Sequence, residues 1–273
     1  MMIVYVQSNL QSHYLGLLKP DSNPINEELH RQAAAPAWSP DGTKIAFFGE
    51  AIDQLGGIYA AGNGIWLIDL IDAQGENPQQ LVQVDHVKNI AWSPDDTKLA
   101  FEVDTPDEDA QIRVVDSSDG RELDRFSGQQ PAWSPDSREL VIRGCLPGCG
   151  LWIVAFDGST GRQITFNSTD SYPSWSPTGE YVAFASQPAD NDWEIYRLDL
   201  ANKELLNLTD RPGTDVTPVF SPDGREIYLR SDYRGGSNHW DLIAISVAGD
   251  NERLIREGVG PSDDWGLARP AVR

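Results

Sequence analysis

Apolar residues along the chain gather into short runs instead of stripes of helical period. Ile45-Ala-Phe-Phe48, Leu99-Ala-Phe101, Leu140-Val-Ile142, Val182-Ala-Phe184 and Ile227-Tyr-Leu229 form one series. Ile65-Trp-Leu-Ile68, Ile112-Arg-Val-Val115, Leu151-Trp-Ile-Val154, Ile195-Tyr-Arg-Leu198 and Leu242-Ile-Ala-Ile245 form a second. The runs are rich in β-branched and aromatic residues and are bounded by Gly, Pro, Asp and Ser, the pattern of strands separated by turns. Weaker runs such as Gln163-Ile-Thr165 and Asn207-Leu-Thr209 close the units.

Before each pair of runs stands a repeated motif. Pro36-Ala-Trp-Ser-Pro-Asp-Gly42 recurs as Ile90-Ala-Trp-Ser-Pro-Asp-Asp96, Pro131-Ala-Trp-Ser-Pro-Asp-Ser137, Pro173-Ser-Trp-Ser-Pro-Thr-Gly179 and Pro218-Val-Phe-Ser-Pro-Asp-Gly224. Its serines, Ser39, Ser93, Ser134, Ser176 and Ser221, step by 54, 41, 42 and 45 residues. A period near 40–50 points to propeller blades or helical arrays, and the strand-like content selects blades. Four strands, a to d from the axis outward, complete each unit. In Ser-Pro-Asp-Gly the Pro presets φ, the Asp bonds nearby backbone and the Gly tolerates positive φ, so the recurring Asp is read as a turn residue and not as a catalytic one. The Pro opening strand a suits an edge facing the channel. Trp38 and Ala37 fall on opposite faces of the blade, so a ring from one blade can fill the space beside a small residue of the next.

Five complete motifs leave one blade to be built from the chain ends. Pro270-Ala271-Val272 matches Pro36-Ala37-Trp38, and Ile3-Val-Tyr-Val-Gln-Ser8 matches a strand b. Tyr14–Leu18 and Glu27–Arg31 supply strands c and d. The expected fold is all-β: one six-bladed β-propeller domain over 1–273, with four antiparallel strands per blade. Blades 1 to 5 span 33–84, 85–128, 129–168, 169–213 and 214–259. The sixth joins 260–273 to 1–32. Such stitching removes an open face and ties down both termini.

The repeated Pro-x-Trp-Ser-Pro-Asp-Gly, followed by Ile-Ala-Phe and Ile-Tyr-x-x-Asp, resembles the propeller of the TolB family, the WD40-like or PD40 repeats. Related blades occur in the propellers of tricorn and prolyl oligopeptidase-type proteases. The resemblance covers nearly the whole chain. It implies a protein-binding propeller, often outside the cytoplasm, as TolB binds the lipoprotein Pal. A periplasmic or extracellular location is therefore expected, with the cytoplasm as the alternative. TolB carries a separate domain ahead of its propeller, whereas this chain starts inside a blade.

Charge narrows the partners. Asp and Glu number 42 against 21 Lys and Arg, a net charge of -21. Such a surface repels phosphate backbones, so nucleic acid is not expected as a partner. No apolar run approaches the length of a membrane span, and Met1 to Val6 is too short and uncharged for a signal peptide. A monomer that takes a protein, peptide or small ligand is expected. Cys145 and Cys149 flank Leu-Pro-Gly, a turn sequence that can bring two thiols into a disulfide.

Propellers bind at the channel mouths. The b–c loops contribute Asp104, Asp107, Glu108, Asp109, Asp190, Asp192 and Asp232, and the d–a loops Asp85, Asp170, Asp215, Asp263 and Asp264. Tyr233 joins them, and the candidate site is His86, Asp170, Tyr172, Asp215, Asp264 and Trp265. Asp170 and Asp215 each stand three residues before the Pro of strand a. The group reads as an acidic funnel for a cation or a basic peptide, or else as a solvated rim. No cofactor is expected. Ca²⁺ is the ion that the acids would hold, although no EF-hand-like spacing is present. The apolar insertion Glu50–Asn63 either covers the mouth or folds onto its own blade. His13, His30, His86 and His239 lack ligand spacing, and no Gly-x-Ser-x-Gly elbow or phosphate loop occurs. A non-enzymatic binding or scaffold propeller is the leading expectation. The alternatives are a hydrolase or lyase working through channel carboxylates, and the sensor or filter propeller of a larger membrane protein or peptidase.

Overall fold

A computed structural model describes residues 2–8, 13–18, 26–31, 33–49, 63–71, 74–104, 109–145, 148–188, 192–234, 240–259 and 269–273. Blade 6 opens the chain with Ile3–Ser8 (β1), His13–Leu18 (β2) and Asn26–Arg31 (β3). Blade 1 is Ala33–Trp38 (β4), Lys44–Gly49 (β5), Gly64–Ile71 (β6) and Gln74–Gln83 (β7). Blade 2 is Val87–Trp92 (β8), Lys98–Val103 (β9), Gln111–Asp116 (β10) and Glu122–Ser127 (β11). Blade 3 is Gln129–Trp133 (β12), Glu139–Gly144 (β13), Gly150–Ala155 (β14) and Gly161–Gln163 (β15). Blade 4 is Ser171–Trp175 (β16), Tyr181–Ser186 (β17), Glu194–Asp199 (β18) and Leu205–Asn207 (β19). Blade 5 is Asp215–Phe220 (β20), Glu226–Ser231 (β21), Asp241–Ser246 (β22) and Arg253–Arg256 (β23), and Ala271–Val272 (β24) ends the chain.

Each blade is a four-stranded antiparallel sheet, and the sixth has the order β24-β1-β2-β3. Ile3 pairs with Val272 and Val4 with Ala271. Beyond that pairing, the Arg273 amide donates to the Met2 carbonyl at 2.9 Å and the Met2 amide donates back to Arg273. The two chain ends therefore build one blade, as the matched termini imply. Strands d of blades 3 and 4 end at Gln163 and Asn207, two residues short of the expected runs. There the hydroxyls of Thr165 and Thr209 accept from the amides of Leu151 and Ile195 at 2.9 Å in place of a backbone carbonyl, while the Ile164 and Leu208 amides still donate to the Leu151 and Ile195 carbonyls at 2.8 Å.

Among the described residues, buried apolar side chains fall into clusters that lie between adjacent blades. Trp38, Ile45, Phe47 and Trp66 of blade 1 pack on Val4, Val6, Leu15 and Leu17 of blade 6. Ile3, Tyr5 and Leu18 of blade 6 pack on Tyr228, Leu242 and Ala244 of blade 5. Alternation along β1 explains both: Val4 and Val6 face one neighbour, Ile3 and Tyr5 the other. The remaining interfaces repeat the scheme. Stability is thus spread around a ring of sheet-on-sheet contacts, and closure buries two faces that an open array would leave to water.

Candidate functional site: the axial channel

The motif turns form one end of the channel. Asp41 accepts from Ser39 Oγ at 2.7 Å and from the Thr43 amide at 2.9 Å, while Ser39 Oγ accepts from the Lys44 amide. The bond from the Thr43 backbone, then those from the Ser39 and Thr43 hydroxyls, hold the Asp41 carboxyl below its usual range. Ser134 and Asp136, and Ser221 and Asp223, repeat the arrangement. These carboxylates are committed to their own turns. Where the motif lacks its final Gly, Asp96 and Ser137 take up the same left-handed conformation, with φ of 64° and 61°.

The mouth framed by these turns is lined by Trp38, Trp92, Trp133, Trp175, Phe220 and Val272, one from each blade, with prolines of the turns around them. The cavity measures about 430 Å³. Strand a is the innermost strand and its motif holds the same register in every blade, so each of these side chains borders the mouth even where, as for Trp38, Trp133 and Phe220, most of it packs between blades. Arg273 also lines this mouth, its guanidinium donating to the Asp41 carbonyl.

Further along strand a, blades 1 to 5 share a β-bulge, where the register shifts between Ala34 and Ala37, Lys88 and Ala91, Gln129 and Ala132, Ser171 and Ser174, and Val216 and Val219. Inside each bulge one non-glycine residue has a positive φ: Ala35 (49°), Asn89 (50°), Gln130 (56°), Tyr172 (51°) and Thr217 (54°). A bulge re-aims a side chain, and a β-branched residue such as Thr217 is seldom found in this conformation. Arg269 is the matching residue before Pro270 of blade 6. Neighbouring positions are tied together: the Tyr172 amide donates to Gln130 Oε1 at 2.7 Å. The Gln130 amide and Asn89 Nδ2 both donate to Glu102 Oε2, at 2.9 and 2.8 Å. Burial raises the Glu102 carboxyl above its usual range despite these bonds.

The sequence-derived site residues fall in different settings. Asp170 and Tyr172 stand at the start of strand a in blade 4 and Asp215 at the start of strand a in blade 5, and the two carboxylates are not open to solvent. Asp215 is 0% exposed and forms a two-pronged ion pair with Arg211, from Nε at 3.0 Å and from Nη2 at 2.9 Å. Asp170 is 3% exposed, accepts from the Asn167 amide at 3.3 Å, and is raised by burial. His86 is exposed in blade 2, beside Asp85, Lys88 and Asp104. There Asn63 Nδ2 donates to Asp85, and Lys88 pairs with Asp104 at 3.2 Å. Asp192 accepts from the Gly213 amide and Asp232 from the Thr214 amide. Asp107, Glu108, Asp190, Asp263, Asp264, Trp265 and the insertion through Gly62 lie outside the described residues. Cys145 and Cys149 are joined in a disulfide. Among the described residues no three His, Cys, Asp or Glu side chains come together as metal ligands.

Sequence reading passed over Arg211, Glu194 and Arg269. Glu194 is buried, accepts from Thr209 Oγ1 and from the Arg211 amide, and burial pushes its carboxyl up to about 7. Arg211 also pairs with Glu252 and lies over the Tyr233 ring. An Arg four residues before a strand-start Asp was the available signal for this network. For Arg269 the signal was its place before the last motif Pro.

No family model matches the chain. The Tol-Pal system protein TolB of Francisella tularensis subsp. holarctica is 34% identical over 101 residues, covering 36% of this chain and 22% of that protein. The chain thus spans well under half the length of this curated relative. The crystal structure of TolB from Acinetobacter baumannii superposes with a TM-score of 0.75 at 20% identity, over 99% of this chain and 66% of that one. A puromycin-hydrolyzing peptidase of Mycobacterium tuberculosis superposes with a TM-score of 0.63 at 15% identity, over 97% of this chain and 46% of that one.

Proposed function

Because this chain is a six-bladed β-propeller of the TolB type, we propose that it is a non-enzymatic binding or scaffold module that recognises a protein or peptide segment at a mouth of its axial channel. The observation that carries this reading is the mouth to which every blade contributes one residue, five of them aromatic. An aromatic, proline-framed cavity suits an extended segment with apolar or proline side chains, because flat rings supply large contact area at little entropic cost. The motif carboxylates add no charge chemistry there, since the turns occupy them. A net charge of -21 keeps nucleic acid away and favours partners with basic flanks. The disulfide between Cys145 and Cys149 supports an extracytoplasmic location, where such bonds persist.

Selection of binders from a displayed peptide library tests the reading. Clones selected on the wild-type protein are expected to lose binding to a variant carrying Trp92→Ala and Trp175→Ala, two half-buried members of the collar. Clones that bind both proteins equally would rule the mouth out.

A further inference from the structure

The bulge residues Asn89 and Thr217 and the matching Arg269, which precedes Pro270 without a bulge, stand at equivalent positions of their strands a, and their polar groups are not all satisfied. Arg269, from blade 6, reaches strands of two other blades: Nη2 donates to the Pro173 carbonyl at 2.7 Å and to the Pro218 carbonyl at 3.3 Å. Those two acceptors are neutral. No carboxylate pairs with this guanidinium among the described residues, and its Nε and Nη1 make no bond there. Burial lowers its pKa to about 10, so it stays cationic at neutral pH. Thr217 is 0% exposed, yet its Oγ1 has no hydrogen-bond partner among the described residues. It immediately precedes Pro218, whose carbonyl holds Arg269. Three blades away, Asn89 is 4% exposed and its Oδ1 is likewise unpartnered, beside the Glu102 carboxylate.

A buried donor or acceptor without a partner costs about 1–3 kcal/mol, and an unbalanced cation more. A guanidinium held at the Pro218 carbonyl, one residue along strand a from the unpartnered Thr217 hydroxyl, fits an acceptor with two oxygens and a negative charge. The opposite wall carries Glu102, and the whole chain is strongly acidic, so a monoanion is favoured over a dianionic phosphate.

We infer that the axial channel binds a carboxylate, received by Nε and Nη1 of Arg269 and by the hydroxyl of Thr217. The carboxylate belongs either to a small organic acid or to a peptide terminus or acidic side chain. This inference does not rest on the aromatic mouth, which lies about 10 Å away along strand a at three residues' separation.

Calorimetry and thermal shift at constant ionic strength test it, with three probes: acetate, inorganic phosphate, and a pentapeptide prepared with a free and with an amidated C-terminus. Saturable binding of acetate identifies a small-acid site. Binding of the free-acid peptide alone identifies a peptide site. Either result supports the inference only if Thr217→Val, which keeps the shape and the β-branch, weakens that binding about tenfold. Arg269→Gln should abolish it. If Arg269→Gln fails to fold, Thr217→Val decides. No saturable response to acetate or to the free-acid peptide, a response to phosphate alone, or equal affinity in Thr217→Val overturns it. The Trp92 and Trp175 substitutions leave Arg269 and Thr217 unchanged, so failure here is distinct from failure of the mouth.

Discussion

Trp38 Nε1 donates to the carbonyl of Ala271 at 3.2 Å, linking blade 1 to the terminal strand across 233 residues of sequence. Trp133 repeats the relation with Ala91 one blade earlier in the ring, at 3.1 Å. In blades 1 and 3 the motif Trp therefore acts as an inter-blade clasp, its ring in the interface and its N–H on a carbonyl of the neighbouring strand a, whereas Trp175 donates to Gly179 within its own turn. At the closing interface the clasp joins the two halves of the chain.

Removal of residues 268–273 takes away β24, the mutual bonds of Met2 with Arg273, and the acceptor for Trp38. Blade 6 then lacks its inner strand and exposes the edge of β1. The expected fall in melting temperature is on the order of 10 °C, whereas Trp38→Phe, which removes the N–H and part of the buried ring, should cost about 2 kcal/mol. Calorimetric scans of both variants check this. A truncated chain that melts with the full one would contradict closure.

Asp215 is sealed from water and balanced by Arg211. Arg211→Met should cost about 3–5 kcal/mol, because it strands a buried carboxylate. The double variant Arg211→Met with Asp215→Leu should recover much of that loss. Urea unfolding of the wild type, the two single variants and the double variant measures the coupling. Additive losses would show that the two side chains do not act as a pair.

Glu194 gives stability a pH signature. Its carboxyl moves from an ordinary 4.5 to about 7, chiefly through burial, with the bonds from Thr209 and the Arg211 amide opposing the rise. The folded state therefore binds a proton that the unfolded chain has released. Between about pH 4.5 and 7 this residue makes stability fall as pH rises, and the effect levels off above 7. Glu194→Gln should remove that slope, so its advantage over the wild type grows from pH 5 to pH 8 in urea titrations. An unchanged pH profile would mean that the group titrates normally.

The bridged Cys145 and Cys149 leave no free thiol among the cysteines of the chain. Denatured protein should show none with a thiol reagent before reduction and both afterwards. Because so short a loop is closed, reduction should lower stability by about 2 kcal/mol or less.

The blades were legible because the same residues must solve the same problem at each turn. Ser39 with Asp41, and Ser134 with Asp136, reveal the turn by spacing alone, and Pro270-Ala271 reveals closure by its match to Pro36-Ala37. The bulge before the motif Pro was not legible. A residue before Pro is expected to be extended, and none of Ala35, Gln130, Tyr172 or Thr217 is a glycine that would announce positive φ. Acidity also misled. Asp170 and Asp215 look like rim charges in a chain of net -21, but one is capped by an amide and the other paired with Arg211, contacts that only the fold brings together. The aromatic mouth was half legible: the motif Trp was read as packing, and its second role follows from all six strands a converging on one axis.

Site-specific photo-cross-linking tests the central claim most directly. A benzophenone amino acid replaces Arg273, which is exposed at the aromatic mouth, or Leu205, which is 54% exposed on the outer strand of blade 4. With a selected peptide bound, the account predicts a cross-link from position 273 and none from position 205. A cross-link from 205 without one from 273 would place binding on the outside of the ring and contradict the account.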